Sequence, residues 1–249
     1  MIAYFETETA EGRGGFWEKR RLELELRPLG RISYLHAVLP LPDGMQGRKR
    51  RKRVEWAMAQ LKKRGVHRLA TKKAWREAAL EQGIPTIEEG IAWRQGAGQG
   101  ALFALQSRGI PLEQAFCRLE AARCDRDVVR CARMLAEKVR YLSVRIGAGQ
   151  RELEEALYEG FGIAPQQSAP PEYPCLRICF PSPAAEEWSP EVLRLAPGGW
   201  PGLCFAPPPQ LAEQQPAGME DTLYSAMLLE SGLCQPEELL ARSEVGEEH

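Results

Sequence analysis

Apolar and polar residues alternate near the start of the chain and predict two strands. Leu22, Leu24 and Leu26 are separated by charged residues, at the two-residue period of a pleated surface. The sequence Pro-Leu-Gly at residues 28–30 supplies a turn, and the apolar run over residues 32–39 predicts a more buried second strand. We expect the two strands to form an antiparallel pair.

A helical period replaces this alternation in the next part of the chain. Val54, Ala57, Met58 and Leu61 recur at three and four residues, and this run ends at Gly65. Two short β-like segments follow, with a helix between them for which Thr71 is the expected cap; they cover residues 66–70 and 84–87. Short strands that alternate with helices indicate βα units and hence a parallel sheet.

The middle of the chain is harder to interpret. Three glycines, Gly96, Gly98 and Gly100, interrupt a helical composition, so we expect a flexible connection there and a firm helix only from Ala101. The apolar residues over 114–122 fit either a helical face or the strand that a βα series requires. We prefer the strand and leave the helix as the alternative.

The later elements follow more clearly. Asp125 or Asp127 is expected to cap an amphipathic helix that extends to Val139. A strand over residues 141–146, a turn over 147–149 and a helix over 152–161 complete the series. Beyond residue 164 the chain is rich in proline, and its predicted elements are strands at 175–180 and 192–195 and a helix at 221–230.

These elements predict an α/β fold, a three-layer Rossmann-like arrangement with a mostly parallel sheet and an antiparallel N-terminal edge. We divide the chain into antiparallel strands over residues 1–45, an α/β core over 46–164, and a proline-rich segment over 165–249 that packs on the same core.

Composition places the chain among globular proteins, because 44% of its 249 residues are hydrophobic and 27% are charged. Glu6 interrupts the first apolar run, so we expect no export signal, and no later run approaches the roughly 20 apolar residues that a spanning helix needs. Seven cysteines, an odd number, favour reduced thiols. We therefore expect a soluble cytoplasmic protein without disulfides or membrane contact.

The formal net charge of −1 hides two opposed regions. The tail from residue 209 is acidic, whereas one short run consists only of bases: Arg48, Lys49, Arg50, Arg51, Lys52 and Arg53. Such a run can neutralise phosphates, which makes nucleic-acid binding a hypothesis for this cluster. A solvated loop is the interpretation that we prefer, since no nucleic-acid-binding motif accompanies the bases and the pI is about 6.4.

A glycine-rich turn is the best-placed candidate for a ligand. Gly147 and Gly149 lie between a predicted strand and a predicted helix, where free backbone N–H groups can hold an anion, and Arg145 and Arg151 flank them. Glu152 occupies the position at which the dinucleotide fingerprint needs a third small residue. An ordinary βα turn is therefore the preferred interpretation, with anion binding as the alternative.

Other chemistry has little support in the sequence. There is no P-loop motif and no G-x-S-x-G elbow, and only His36 and His67 are available as bases inside the chain. The spacings of the cysteines along their predicted elements are too wide for one zinc ion. No cofactor is indicated. We expect a non-catalytic binding or accessory protein, and the sequence leaves open whether its partner is a protein or a phosphorylated ligand. The alternatives are a Rossmann-like enzyme or binder of a phosphorylated small molecule or nucleotide, and nucleic-acid binding through residues 48–53.

Overall fold

The structure is a computed structural model, and it describes residues 1–10, 21–164, 174–180 and 190–243. Within these residues, ten strands and eight α-helices form a mixed α/β fold. The chain divides into two compact units. Unit 1 comprises Met1–Glu88 and Pro209–Met219, and unit 2 comprises Glu89–Pro208 and Glu220–His249. These bounds differ from the three segments expected from composition.

Unit 1 is built on a four-stranded sheet with the order β2-β3-β1-β4. Its strands are β1 (Ile2–Ala10), β2 (Glu23–Leu29), β3 (Ile32–Pro42) and β4 (Arg68–Thr71). The pair β2 and β3 is antiparallel, whereas β1 lies parallel to both β3 and β4. The predicted antiparallel N-terminal edge is thus confirmed, and its neighbour is a central strand that the sequence pattern did not reveal.

Two helices of unit 1, α1 (Gly47–Lys63) and α2 (Lys73–Glu81), supply apolar side chains to the core on one face of this sheet. Val54, Met58 and Leu61 of α1 belong to the same buried cluster as Phe5 and Leu35 of the strands. Burial of this apolar area is the main favourable term for unit 1. A short helix, α7 (Pro209–Ala212), also belongs to this unit.

Unit 2 contains a second four-stranded sheet, in which all strands are parallel and the order is β6-β5-β7-β8. Its strands are β5 (Phe116–Arg123), β6 (Tyr141–Ala148), β7 (Cys175–Cys179) and β8 (Val192–Arg194). The first strand in the chain, β5, lies inside the sheet. The chain adds β6 on one side of β5 and then adds β7 and β8 on the other side.

The helices of unit 2 include α3 (Gly90–Gln95), α4 (Ala97–Ser107), α5 (Arg126–Lys138) and α6 (Gln150–Phe161). Helix α4 packs on β7 and β8, α5 packs on β5 and β6, and α6 lies beside α5 against β6. A two-stranded antiparallel ribbon, β9 (Leu203–Ala206) with β10 (Leu240–Ser243), packs on α4, and α8 (Asp221–Glu230) packs on α3 and β9.

Several expectations are confirmed, among them the α/β class and the mostly parallel pairing. The ambiguous segment at 114–122 is a strand, and the Asp125 carboxylate caps α5 by accepting hydrogen bonds from the backbone N–H groups of Asp127 and Val128 at 3.0 and 3.1 Å. The strands we expected to share one sheet lie in two sheets instead. Strand β4 pairs with β1 in unit 1, whereas β5 pairs with β6 in unit 2.

Three local predictions were wrong. The basic run at 48–53 is not a loop in front of a helix, since it forms the first turns of α1. Thr71 does not cap α2; its buried hydroxyl donates a hydrogen bond to the Phe5 carbonyl oxygen at 2.9 Å. Residues 84–87 contribute only an isolated bridge between Thr86 and Leu69.

The glycine-rich segment that we expected to be flexible is also ordered, because helix α4 begins at Ala97 and includes Gly98 and Gly100. Among the described residues, no helix combines the length and the apolar character needed to cross a membrane.

Candidate functional site

A cleft opens at the carboxyl ends of the four parallel strands of unit 2. It has a volume of about 590 Å³. Its lining comes from all four strands and from the residues that follow them: Glu120, Ala121, Ala122, Arg145, Ile146, Gly147, Arg177, Cys179, Phe180, Val192, Arg194, Leu195 and Ala196. We call this the strand-end cleft. It lies where the strand order reverses around β5.

Strand alternation separates a polar face of the sheet from an apolar one. Leu119, Val144 and Ile178 are buried on the face against which α4, α5 and α6 pack. Successive side chains of a strand point to opposite faces, so the residues between them point the other way. Glu120, Arg145 and Arg177 lie on that second face, which is where the cleft forms.

An ion pair anchors the middle of the cleft. Arg177 on β7 donates from Nε to Glu120 Oε1 at 3.2 Å and from Nη2 to Glu120 Oε2 at 2.8 Å. The Cys179 thiol adds a weaker contact to Oε2 at 3.8 Å. Two parallel hydrogen bonds between a guanidinium and a carboxylate fix both groups in direction as well as in distance. The carboxylate of Glu120 therefore has a defined position on the floor of the cleft.

The surrounding arginines keep this carboxylate charged. The hydrogen bonds from Arg177 lower the pKa of Glu120, and the positive charges of Arg177, Arg118 and Arg145 lower it further. Partial burial acts in the opposite direction but is the smaller effect. Glu120 is thus an anion throughout the neutral pH range.

The cleft nevertheless carries excess positive charge. Arg145, Arg177 and Arg194 line it with only one acidic residue, Glu120, so the formal charge of the described lining is two positive units. Arg145 is exposed at the end of β6, and Arg194 is half-buried at the end of β8. Concave walls of low dielectric constant strengthen the attraction of such charges for an anion.

The structure brings together part of the predicted glycine site. Gly147 and Arg145 line the cleft, whereas Gly149 and Arg151 do not belong to the described lining. Gly149 has a φ of 81° and precedes α6, and Arg151 is exposed on α6, where it donates to Glu155 at 2.8 Å. Gly147 is required for a close approach, because a Cβ there would lie 2.5 Å from the Ala122 carbonyl oxygen.

Internal hydrogen bonds already occupy backbone groups of this turn. The Ile146 N–H donates to the Gln150 side chain at 3.0 Å, and the Ala148 carbonyl oxygen accepts from the Cys124 N–H at 2.7 Å. These two bonds fix the backbone on either side of Gly147. Anion binding by the N–H groups of residues 147–149 stays a prediction.

The basic run has a mixed role within unit 1. Arg51 pairs with Glu55 and Glu81 at 2.9 and 2.6 Å, and the guanidinium of Arg50 lies 4.8 Å from the centre of the Trp75 ring. Arg53 donates to the Pro40 carbonyl oxygen at 3.4 Å. The other three bases, Arg48, Lys49 and Lys52, are exposed on α1. Binding of nucleic acid by this cluster stays a prediction.

The cysteines divide into buried and accessible thiols. Burial raises the pKa of the Cys117 thiol to about 12 and raises that of Cys131 as well. Cys179 is half-buried and lines the cleft. All seven thiols are free, and the described residues contain no group of three His, Cys, Asp or Glu side chains placed to hold a metal ion.

A second buried polar cluster lies on the sheet of unit 1. His36 on β3 and Glu6 on β1 approach to 2.8 Å between Nε2 and Oε1, and the Tyr4 hydroxyl donates to Glu6 Oε2 at 3.2 Å. The Tyr4 ring stacks on the His36 ring with 5.4 Å between centroids. Sequence reasoning identified His36 but missed its partner, because β1 was not predicted as a strand.

Sequence reasoning also missed Glu120, Arg177 and Arg194. Each is a charged residue beside buried apolar residues of a strand, as in the segment Cys-Leu-Arg-Ile-Cys. Such a charge can be recognised in the sequence, because a charged residue inside a buried strand needs a partner or a cleft. That these three residues meet in one cleft cannot be recognised in the sequence, since it depends on the register of strands far apart in the chain.

Comparisons with known proteins add no family assignment: no protein-family model matches this chain, and no curated protein matches it in sequence.

Proposed function

We propose that this protein binds a small anionic molecule, phosphorylated or carboxylated, in the strand-end cleft. The observation that carries the proposal is the convergence of Arg145, Arg177 and Arg194 on one cleft with Glu120 as the single acidic residue of its described lining. Guanidinium groups bind phosphates and carboxylates through paired hydrogen bonds, which gives both strength and direction.

The position of the cleft in the fold supports the same proposal. In open α/β sheets, ligands bind outside the carboxyl ends of the strands, at the point where the strand order reverses. The cleft extends along the polar face of the sheet to those ends, and the chain adds strands first on one side of β5 and then on the other. We propose on this basis that unit 2 is a Rossmann-like binding unit. The non-catalytic role expected from the sequence stays a prediction.

Isothermal titration with a panel of anions tests the proposal: inorganic phosphate, pyrophosphate, glycerol 3-phosphate, adenosine monophosphate and succinate. We expect at least one to bind and glycerol to show no binding. At a concentration of 100 times the dissociation constant, the bound anion adds about 2.7 kcal/mol to the free energy of unfolding, which a thermal-shift assay detects.

Two arginine variants provide the matched comparison. Arg145→Gln removes a charge from the cleft. We expect it to weaken binding about ten- to hundredfold, which corresponds to the free energy of one hydrogen bond to a charged group. Arg151→Gln removes an exposed arginine six residues later in the chain, outside the described lining, and should leave binding unchanged. The proposal is contradicted if no anion of the panel binds, or if the two variants lose equal affinity.

A further inference from the structure

Four residues of the strand-end cleft stand in one row across the sheet. The register pairs Arg145 on β6 with Glu120 on β5, Glu120 with Cys179 on β7, and Cys179 with Arg194 on β8. Partners in register lie side by side, and their side chains emerge on the same face of the sheet. The row therefore reads arginine, glutamate, cysteine, arginine from one edge of the sheet to the other.

The dimensions of the row follow from the spacing of strands. Neighbouring strands are about 4.8 Å apart, so three steps place the Cα atoms of Arg145 and Arg194 about 14 Å apart. Two positive groups thus stand at the ends of the row, with the Glu120 carboxylate between them. Arg177, two residues before Cys179 on β7, binds that carboxylate through two hydrogen bonds.

We propose that the ligand carries two separated anionic groups, with a hydrogen-bond donor such as a hydroxyl or ammonium group between them. This inference rests on the proposed function and specifies its ligand. Each terminal arginine binds one anionic group. Glu120 accepts a hydrogen bond from the middle of the ligand, since a carboxylate has about four acceptor sites, of which Arg177 uses two and the Cys179 thiol contacts a third.

The central carboxylate also gives the row its selectivity. A single compact anion placed over the middle of the row lies against the negative charge of Glu120, which repels it. The same anion at one end of the row contacts only one of the two terminal arginines. A ligand that spans the row contacts both arginines and avoids the repulsion, so it binds more tightly than either half alone.

A series of synthetic phosphonates measures how much affinity a ligand gains by contacting both terminal arginines. Alkane bisphosphonates with one to six methylene groups are compared with alkylphosphonates of the same length, which carry only one charged end. We expect one spacer length at which the bisphosphonate binds at least tenfold more tightly than its matched monophosphonate. Arg145→Gln and Arg194→Gln should each reduce that bisphosphonate to the affinity of the monophosphonate, and Arg151→Gln should not.

A second comparison tests the role of Glu120. We expect 2-hydroxypropane-1,3-bisphosphonate to bind severalfold more tightly than propane-1,3-bisphosphonate in the unmodified protein, and expect Glu120→Gln to reduce this ratio. The ratio is the readout because the substitution also releases Arg177, which changes the affinity for every anion. The melting temperature of each variant is measured alongside, and Arg194→Met, which removes the charge and keeps an unbranched side chain, replaces Arg194→Gln if the latter does not fold.

The outcomes separate this inference from the proposed function. If monophosphonates and bisphosphonates bind equally well, or if only one terminal arginine affects the bisphosphonate, the two-anion inference is overturned while anion binding stands. If no phosphonate and no anion of the panel binds, both fail. A hydroxyl effect that is unchanged in Glu120→Gln overturns the role given to that carboxylate.

Discussion

At the scale of single residues, Glu120 is the group whose charge organises the strand-end cleft. Its carboxylate orients Arg177 and accepts a weak contact from the Cys179 thiol. It also lies between Arg145 and Arg194 in the row across the sheet. Its pKa is lowered chiefly by hydrogen bonds from Arg177, so the folded protein holds its proton less tightly than the unfolded chain does. Stability must therefore depend on pH through this group.

The sign of that dependence follows from the lowered pKa. The stabilisation by Glu120 is fully present above its ordinary pKa of 4.5 and is lost as the pH falls through the folded-state value below it. We expect Glu120→Gln to reduce the free energy of unfolding by about 1 kcal/mol at pH 7, because Arg177 loses its charged partner in a partly buried position. The difference from the unmodified protein should shrink as the pH falls.

Urea unfolding between pH 7 and pH 2.5 measures this difference. Glu155→Gln is the control, since Glu155 pairs with the exposed Arg151 through a single contact at the surface. A deficit of Glu120→Gln that stays constant with pH would show that the carboxylate acts through packing and not through charge.

Residue-scale chemistry was only partly predictable from the sequence. Arg145 and Gly147 were found because a glycine turn between a strand and a helix is a local pattern. Arg194 was not found, because its place opposite Arg145 depends on the order of four strands that lie far apart in the chain. No local pattern encodes that order.

At the scale of elements, the glycine between α3 and α4 and the first glycine of α4 act through close packing. A Cβ at Gly96 would lie 2.5 Å from the Phe205 ring and 2.8 Å from the Ala92 carbonyl oxygen, and one at Gly98 would lie 2.5 Å from the sulfur of Met134. Sequence propensity treats glycine in a helix as a break. Here each glycine lets a neighbouring element approach, so the helix forms where the pattern predicted a flexible connection.

This packing makes Gly96→Ala destabilising even though alanine is the better helix former. We expect a loss of about 1–3 kcal/mol in the free energy of unfolding, the usual range for overpacking in a core. Gly160→Ala is the matched control, because Gly160 is exposed in α6 and has nothing within 4 Å of its added Cβ. That variant should gain about 0.5–1 kcal/mol from helix propensity.

Chemical denaturation of both variants checks the two signs. If Gly96→Ala were as stable as the unmodified protein, the close approach of Phe205 would not be a constraint on the helix.

The prediction of α5 succeeded because that helix has both a cap and a sharp apolar period. Helix α1 was shortened in the prediction because its basic residues have no apolar period, although arginine and lysine are good helix formers.

At the scale of the whole molecule, the chain forms two compact units, each with its own sheet. The prediction of βα units was correct, but a pattern of alternating strands and helices does not state which strands share a sheet. The proline-rich end supplies β7 and β8 to unit 2, and its residues 209–219 belong to unit 1.

Hydrogen exchange followed by mass spectrometry locates the binding site in the intact chain. With saturating pyrophosphate, we expect slower exchange in peptides that contain the ends of β5 to β8, because bound ligand suppresses local opening of the groups around it. Peptides from β1, β3 and α1 serve as the internal reference and should change little. Slower exchange centred on α1 would indicate that the anion binds at the basic run of residues 48–53.

The bidentate pair between Arg177 and Glu120 has one more consequence. The cleft contains its own counterion, so an arriving anion competes with a charge that never diffuses away. For the anion that we propose, such competition lowers the affinity for any single charged group and favours rapid exchange with solvent. We expect its occupancy of the cleft to follow the surrounding concentration closely, and we expect slower exchange in acid, where a protonated Glu120 no longer opposes the anion with its charge.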